Sequence, residues 1–214
     1  TPAGAMAITA RAFAGESRKV LGKPTPCVGR ERELAFLEST FSGAVEESEA
    51  RAVIAIAPAG VGKSRLRREI TARLEARGAR VLLARCDAVY AGSPHHAASE
   101  LVRHAAGIRE DEGAESRRAA LEAYVDAVFP VALQGRAKDF LGEMVRAPSA
   151  SEPGPLLRAA RNDPRVMAEQ VREIFEAWWS ELTKEEPLFV VLEDVHWSDA
   201  STSRLVEGAL ARLQ

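Results

Sequence analysis

Apolar residues recur along this chain with two periods, and the alternation between them predicts its elements. From Arg32 onward Leu34, Leu37, Phe41 and Val45 fall three and four apart, the spacing of an amphipathic helix. A short apolar run, Ala52 to Ala57, then predicts a strand. The helical period returns at Leu66, Ile70 and Leu74, and Gly78 stands where a glycine would end that helix. Arg65, Arg67, Arg68 and Arg73 would form its solvent face. Arg80 to Cys86 is again short and apolar. Strand, helix and strand within about thirty-five residues make the βαβ unit of a parallel sheet.

Beyond Cys86 the pattern changes. From Asp87 to Asn162 it predicts helical segments near Pro94 to Ala106, Glu115 to Phe129 and Val131 to Val145, broken by Gly107, Pro130 and a loop from Ser149 to Pro155. This reads as a helical insertion, about 87–162. Asp163-Pro164 supplies an N-cap and a first-turn proline for a long helix. Its inward stripe is Met167, Val171, Ile174, Phe175, Trp178 and Leu182, a face that Trp179 cannot share with Trp178. Pro187 to Asp194 is a continuous apolar run ending in two carboxylates, as expected of a central parallel strand buried on both sides. Ser201 to Leu213 predicts a last helix, capped by Ser201 or Asp199. Residues 1–26 carry no sustained period and read as an interdomain linker, with one short helix near Ala10 to Val20. The domain proper spans 27–214.

The 214 residues can bury a sizeable core, and 46% hydrophobic with 28% charged residues is ordinary for a globular domain. The 29 basic and 31 acidic residues nearly cancel, so no global field draws the chain to nucleic acid or an anionic membrane. No apolar run approaches the ~20 residues of a membrane span. Cys27 and Cys86 match neither a disulfide framework nor a metal-binding spacing, which fits a reducing, cytoplasmic setting. His95, His96 and His104 lack a carboxylate or cysteine at ligand spacing and read as solvated loop and helix-start residues rather than metal ligands.

The candidate chemistry begins where the first strand meets its helix. Pro58-Ala59-Gly60-Val61-Gly62-Lys63-Ser64 is the layout of a phosphate-binding loop. Backbone N–H groups in such a loop cradle phosphate oxygens at a helix N-terminus, Lys63 would neutralise the β/γ charge, and the Ser64 hydroxyl would ligate Mg²⁺. Ala57 stands where the full pattern has its first glycine, and it fits only if φ there is not positive. The loop needs carboxylates, because Mg²⁺ takes oxygen ligands and an attacking water must be oriented. Glu193 and Asp194 can supply both. Consecutive strand residues point to opposite faces, so the sequence leaves open which acid holds the metal. The fold class is thus α/β of the P-loop NTPase kind, a parallel sheet with flanking helices and a helical insertion.

Three ordered motifs, Val28-Gly29-Arg30-Glu31-Arg32-Glu33-Leu34, the phosphate loop running into Arg65 and Leu66, and Leu192-Glu-Asp-Val-His-Trp-Ser-Asp199, resemble the AAA-type signalling ATPases of the STAND class. Such modules occur in bacterial transcription regulators, adenylate cyclases and large serine/threonine kinases. The resemblance implies ATP/ADP and Mg²⁺ as cofactors, with the adenine between Val28, Gly29, Arg30 and the phosphate loop. It gives His196 a place near the γ-phosphate or the acids, with simple packing as the alternative. It also implies that a sensor strand, following the carboxylate strand in sequence, inserts between that strand and the phosphate-loop strand. Gln214 arrives before it, so the sheet is expected to be incomplete.

The function expected is Mg²⁺-dependent ATP binding and slow hydrolysis as a regulatory switch in a multidomain signalling protein, kinase-associated in the favoured version. Lys63, Glu193 and Asp194 would be catalytic, with Ser64, Glu193 and Asp194 around the metal. Neighbouring domains and nucleotide-dependent self-association are the expected partners. One alternative is a hydrolysis-deficient or nucleotide-free interaction scaffold. The other is a DNA-loading initiator-type ATPase, against which the near-neutral charge counts.

Overall fold

The computed structural model describes residues 19–20, 23–24, 29–90, 92–109, 111–148 and 152–213. A two-residue strand β1 (Lys19–Val20) pairs antiparallel with β2 (Lys23–Pro24). The rest of the short helix expected near Ala10 to Val20 lies outside the described residues, as do Cys27 and Val28.

The main body runs α1 (Glu31–Glu47), α2 (Lys63–Ala76), β3 (Arg80–Arg85), α3 (His96–Ala106), α4 (Ala114–Val128), α5 (Val131–Met144), α6 (Pro155–Asn162), α7 (Pro164–Leu182), β4 (Leu188–Glu193) and α8 (Ala200–Arg212). Single 3-10 turns sit at Ala88–Tyr90 and Val195–Trp197. β3 and β4 pair in parallel, from Arg80 opposite Leu188 to Arg85 opposite Glu193. This small sheet separates two layers. On one side α1 and α2 bury Leu34, Ile70 and Leu74 with Ala79, and Phe41 meets Phe189 edge-on with ring centroids 5.9 Å apart. On the other, Leu82, Ala84 and Cys86 join the buried faces of α3, α4, α5, α7 and α8 in one continuous core. The helical region between β3 and β4 is therefore no appendage: α3 lies directly on β3.

The local chemistry explains where the helices start and stop. After α2, Gly78 takes φ +84, Ala79 N donates to Leu74 O and Gly78 N to Glu75 O, the paired bonds of a Schellman motif. Asp163 caps α7 by accepting from Arg165 N at 2.9 Å, with Pro164 in the first turn. For α8 the cap is Asp199, which accepts from Thr202 N at 2.8 Å. α6 was not anticipated by periodicity, because it is short and its only buried residues are Leu157 and Ala160.

Several expectations are corrected. Trp178 and Trp179 are both buried, since α7 packs against α5, α6 and α8. Trp178 Nε1 donates to Tyr124 Oη at 2.8 Å, and burial pushes the Tyr124 hydroxyl up to about 12. His95 and His104 are partly buried rather than solvated, and His104 Nδ1 accepts from Leu83 N at 3.1 Å. Burial, offset in part by Asp199 and by Glu100 respectively, lowers both imidazoles' pKa.

The largest correction concerns the sheet. Ala52 to Ala57 is not a strand: it has no regular secondary structure and is exposed, Ile54 at 76% and Ile56 at 91%. β4, expected to be central and buried on both faces, is half-buried along its whole length. The cause is the same for both. A strand exists by virtue of its ladder, and among the described residues β4 bonds only β3. An open cleft of about 1580 Å³ separates its other edge from residues 52–57.

Candidate functional site

Two glycines set the shape of the loop that opens α2. Gly60 and Gly62 take φ +83 and +94, conformations that cost an L-residue its Cβ–carbonyl clearance. Gly62 is the N-cap of α2, and its carbonyl accepts from Arg65 N and Leu66 N, both at 3.0 Å. No side chain caps this helix and its first turn holds no acid, so its positive end faces the loop uncompensated by an acidic group. Ala57 is not among the residues with positive φ, so its methyl group is accommodated without backbone strain. Pro58, Ala59, Gly60, Val61, Gly62, Lys63 and Ser64 are all exposed. Lys63 Nζ curls back to donate to Ala57 O at 2.7 Å and Pro58 O at 3.0 Å. The ammonium thus lies inside the curve of its own loop.

Arg30 reaches the loop from the start of α1. Its Nη2 donates to Val61 O at 2.5 Å while Nη1 meets Glu33 at 2.6 Å, and Gly29 N donates to Glu31 Oε1 at 3.0 Å. This fastens the Gly29-Arg30 segment to the phosphate loop. Val28 falls outside the described residues.

The carboxylates arrive from β4. Glu193 is its last residue, in register with Arg85 of β3. Asp194 follows in the left-handed region, φ 54 and ψ 42, which turns the chain into the Val195–Trp197 turn. A non-glycine residue there costs about 1–2 kcal/mol, a cost common at functional turns. Both acids are engaged: Arg67 Nε lies 2.8 Å from Glu193 Oε1, and Arg85 Nε 3.2 Å from Asp194 Oδ2. The Arg67 contact is an ion pair whose N–H does not align on the oxygen, since that buried nitrogen makes no hydrogen bond of normal geometry. Arg67 sits one helical turn beyond Lys63 and Ser64, so the pair brings the phosphate-loop end of α2 against the acidic end of β4. Lys63, Ser64, Glu193 and Asp194 line one cleft. A nucleotide-sized ligand needs about 300–1,000 Å³, and at about 1580 Å³ this cleft has room to spare.

The sequence from residue 26 to residue 214 matches the model of the family described as AAA ATPase domain. The chain belongs to that family. No curated protein and no solved structure matches it. Nucleotide binding with ATPase chemistry is the coarse function that membership in the AAA family carries.

The donors of this AAA domain fit a magnesium ion. A serine hydroxyl and carboxylates are hard oxygen ligands, and Mg²⁺ characteristically takes one or two of these and fills its sphere with phosphate and water. Among the described residues no three His, Cys, Asp or Glu side chains converge as a metal cage. His196 and Trp197 are exposed, their rings 5.0 Å apart.

Two residues escaped sequence reasoning. Arg67 was assigned to a solvent face, yet its side chain is only 20% exposed and holds Glu193. The available signal was its spacing, since it shares a helix face with Lys63 and Ser64. Asp199 was anticipated only as a cap. It also accepts from His95 N at 3.0 Å, tying the start of α3 to the turn after the carboxylates. Burial pushes its carboxyl up, but hydrogen bonds from Thr202 Oγ1, Thr202 N and His95 N outweigh that and hold it below the usual range.

Proposed function

We propose that this AAA domain binds Mg²⁺-ATP and hydrolyses it slowly, as a regulatory switch within a multidomain signalling protein. The observation that carries the reading is the convergence of the Lys63 loop and the Glu193–Asp194 pair on one cleft, linked by the Arg67–Glu193 contact. In this reading Pro58, Ala59, Gly60, Val61, Gly62, Ser64 and Arg65 wrap the phosphates, while Gly29 and Arg30, with Val28 beside them, border the base. Lys63 would leave the carbonyls of Ala57 and Pro58 for the phosphate charge. Mg²⁺, when bound, would supply neutralisation of the phosphate charge. Ser64 with Glu193 or Asp194 would hold it, and the remaining acid would orient the attacking water.

The cleft is too large for a nucleotide alone and is bordered by the free edge of β4. That supports the expectation that a further strand, the sensor strand of this ATPase class, completes the sheet between β4 and residues 52–57. Kinase association, a cytoplasmic setting and nucleotide-dependent self-association belong to the same reading and rest on the class resemblance. No described helix is long and apolar enough to cross a membrane.

A scaffold that binds a partner without turnover is the second reading. It is favoured by the internal partners that already satisfy Lys63, Glu193 and Asp194. Calorimetric titration of the chain with ADP and ATP in Mg²⁺, beside Lys63→Ala, separates the two. Binding that Lys63→Ala abolishes, together with slow phosphate release from ATP, supports the switch; a folded chain that binds neither nucleotide, or binds ATP and never releases phosphate, refutes it in favour of the scaffold.

A further inference from the structure

The side chain paired with Glu193 is a cation of the chain itself. Arg67 lies three residues after Ser64 and four after Lys63, on the same face of α2, which is the face that meets the end of β4. Its Nε is buried, 2.8 Å from Glu193 Oε1, and the two side chains are only 20% and 23% exposed. Screening by water is therefore weaker here than for Arg73 of the same helix. Arg73, for comparison, is 44% exposed and bridges Glu38 and Glu69 at the surface.

The contact is close yet poorly directed. A guanidinium placed to bind a carboxylate for its own sake uses its forked N–H groups in parallel. Here Nε lies 2.8 Å from Oε1 yet makes no aligned hydrogen bond. The arrangement compensates charge without the directional bonds that would make it hard to leave. A divalent ion beside Ser64 would need the same carboxylate and would meet the Arg67 charge as a repulsion.

We propose that Arg67 is a positioning residue that occupies Glu193 in the nucleotide-free state and must yield it when a divalent cation enters with the nucleotide. Arg67 thereby sets the metal concentration at which the site fills. The proposal rests on the Mg²⁺-nucleotide reading above. An arginine charge within about 4–6 Å of a carboxylate shifts that carboxylate's cation-binding equilibrium by about 10- to 1000-fold, as it does for the proton, and partial exposure puts this pair at the lower end.

The test is ADP binding by the chain as a function of Mg²⁺, with Mn²⁺ binding in the presence of ADP followed by electron paramagnetic resonance. Neither readout needs turnover. Arg67→Leu should lower the half-saturating metal concentration about tenfold. Arg67→Gln, which keeps most of the stem and removes the charge, should do the same if Arg67→Leu folds poorly. Arg67→Lys, which keeps the charge but not the fork, should stay near the wild type. Adding Glu193→Gln to Arg67→Leu should cancel the gain, because the carboxylate competed for is gone. A metal midpoint within twofold of wild type in both uncharged variants, with normal ADP binding, overturns the role of Arg67 alone. Weaker ADP binding by them in chelator would make Arg67 a phosphate ligand and overturns it too. A wild-type chain that binds no ADP at any metal concentration overturns the nucleotide reading itself and the proposal with it.

Discussion

Substituting Gly62 by alanine separates the energetics of the phosphate loop from those of the fold. Gly62 holds φ +94 and ψ 20, and a Cβ built there meets nothing within 4 Å. Steric collision with neighbours is thus excluded, and the whole effect of a side chain is the backbone cost of the left-handed region, about 1–2 kcal/mol. Where that cost appears depends on what holds the loop. Residues 51–64 are exposed, so in the free protein the loop can relax locally with little effect on the core. Relaxation rotates the Gly62 carbonyl away from Arg65 N and Leu66 N, and nucleotide binding must restore it. The cost then falls on affinity, and 1–2 kcal/mol corresponds to roughly a 5- to 30-fold rise in the ADP dissociation constant. Asparagine, which tolerates the left-handed region better, should lie between glycine and alanine. Calorimetry gives the affinities, and a thermal melt of the same samples gives the fold. The reasoning fails if Gly62→Ala lowers the melting temperature while leaving affinity unchanged, which would mean the loop is clamped by contacts, or if alanine and asparagine both bind like wild type.

Tyr124→Phe should cost about 1–3 kcal/mol, because it strands the buried Trp178 N–H, with no ring-sized cavity to confuse the reading; urea unfolding followed by tryptophan fluorescence measures it, and a loss below about 0.5 kcal/mol would refute the bond. The neutral His95 and His104 predict a pH dependence. Burial puts their folded pKa below the unfolded value of about 6.5. Their contribution is therefore complete above pH ~6.5 and is lost as pH falls through the lower folded value, since a protonated Nδ1 of His104 cannot accept from Leu83 N. The urea midpoint should fall from pH 7 to 5, and His104→Gln should flatten that slope.

Much of the helical architecture could be read from the sequence because helices carry their own evidence. The 3.6-residue stripe of α7 and the Schellman glycine after α2 are local features, made by residues within a turn or two of each other. Strands are otherwise. Ala52 to Ala57 has the composition of a buried strand, but no local property of those residues supplies a ladder partner, and the described chain gives them none. The candidate site divides the same way. The phosphate loop is a contiguous motif and was legible, as was the acidic end of β4. The Arg67–Glu193 pair joins residues from opposite ends of the chain, and the double duty of Asp199 depends on α3 beginning next to α8. Those relations exist only after packing.

The free edge of β4 has a practical corollary for anyone handling this protein in solution. Among the described residues its outer N–H and C=O groups find no strand partner, and they border the same cleft as the exposed side chains of Ile54 and Ile56, with no charge or proline within β4 itself until Glu193. That is the kind of edge to which extended segments of other molecules add. The expected consequence is association that rises with protein concentration, and a short β-forming peptide bound along that edge should suppress it.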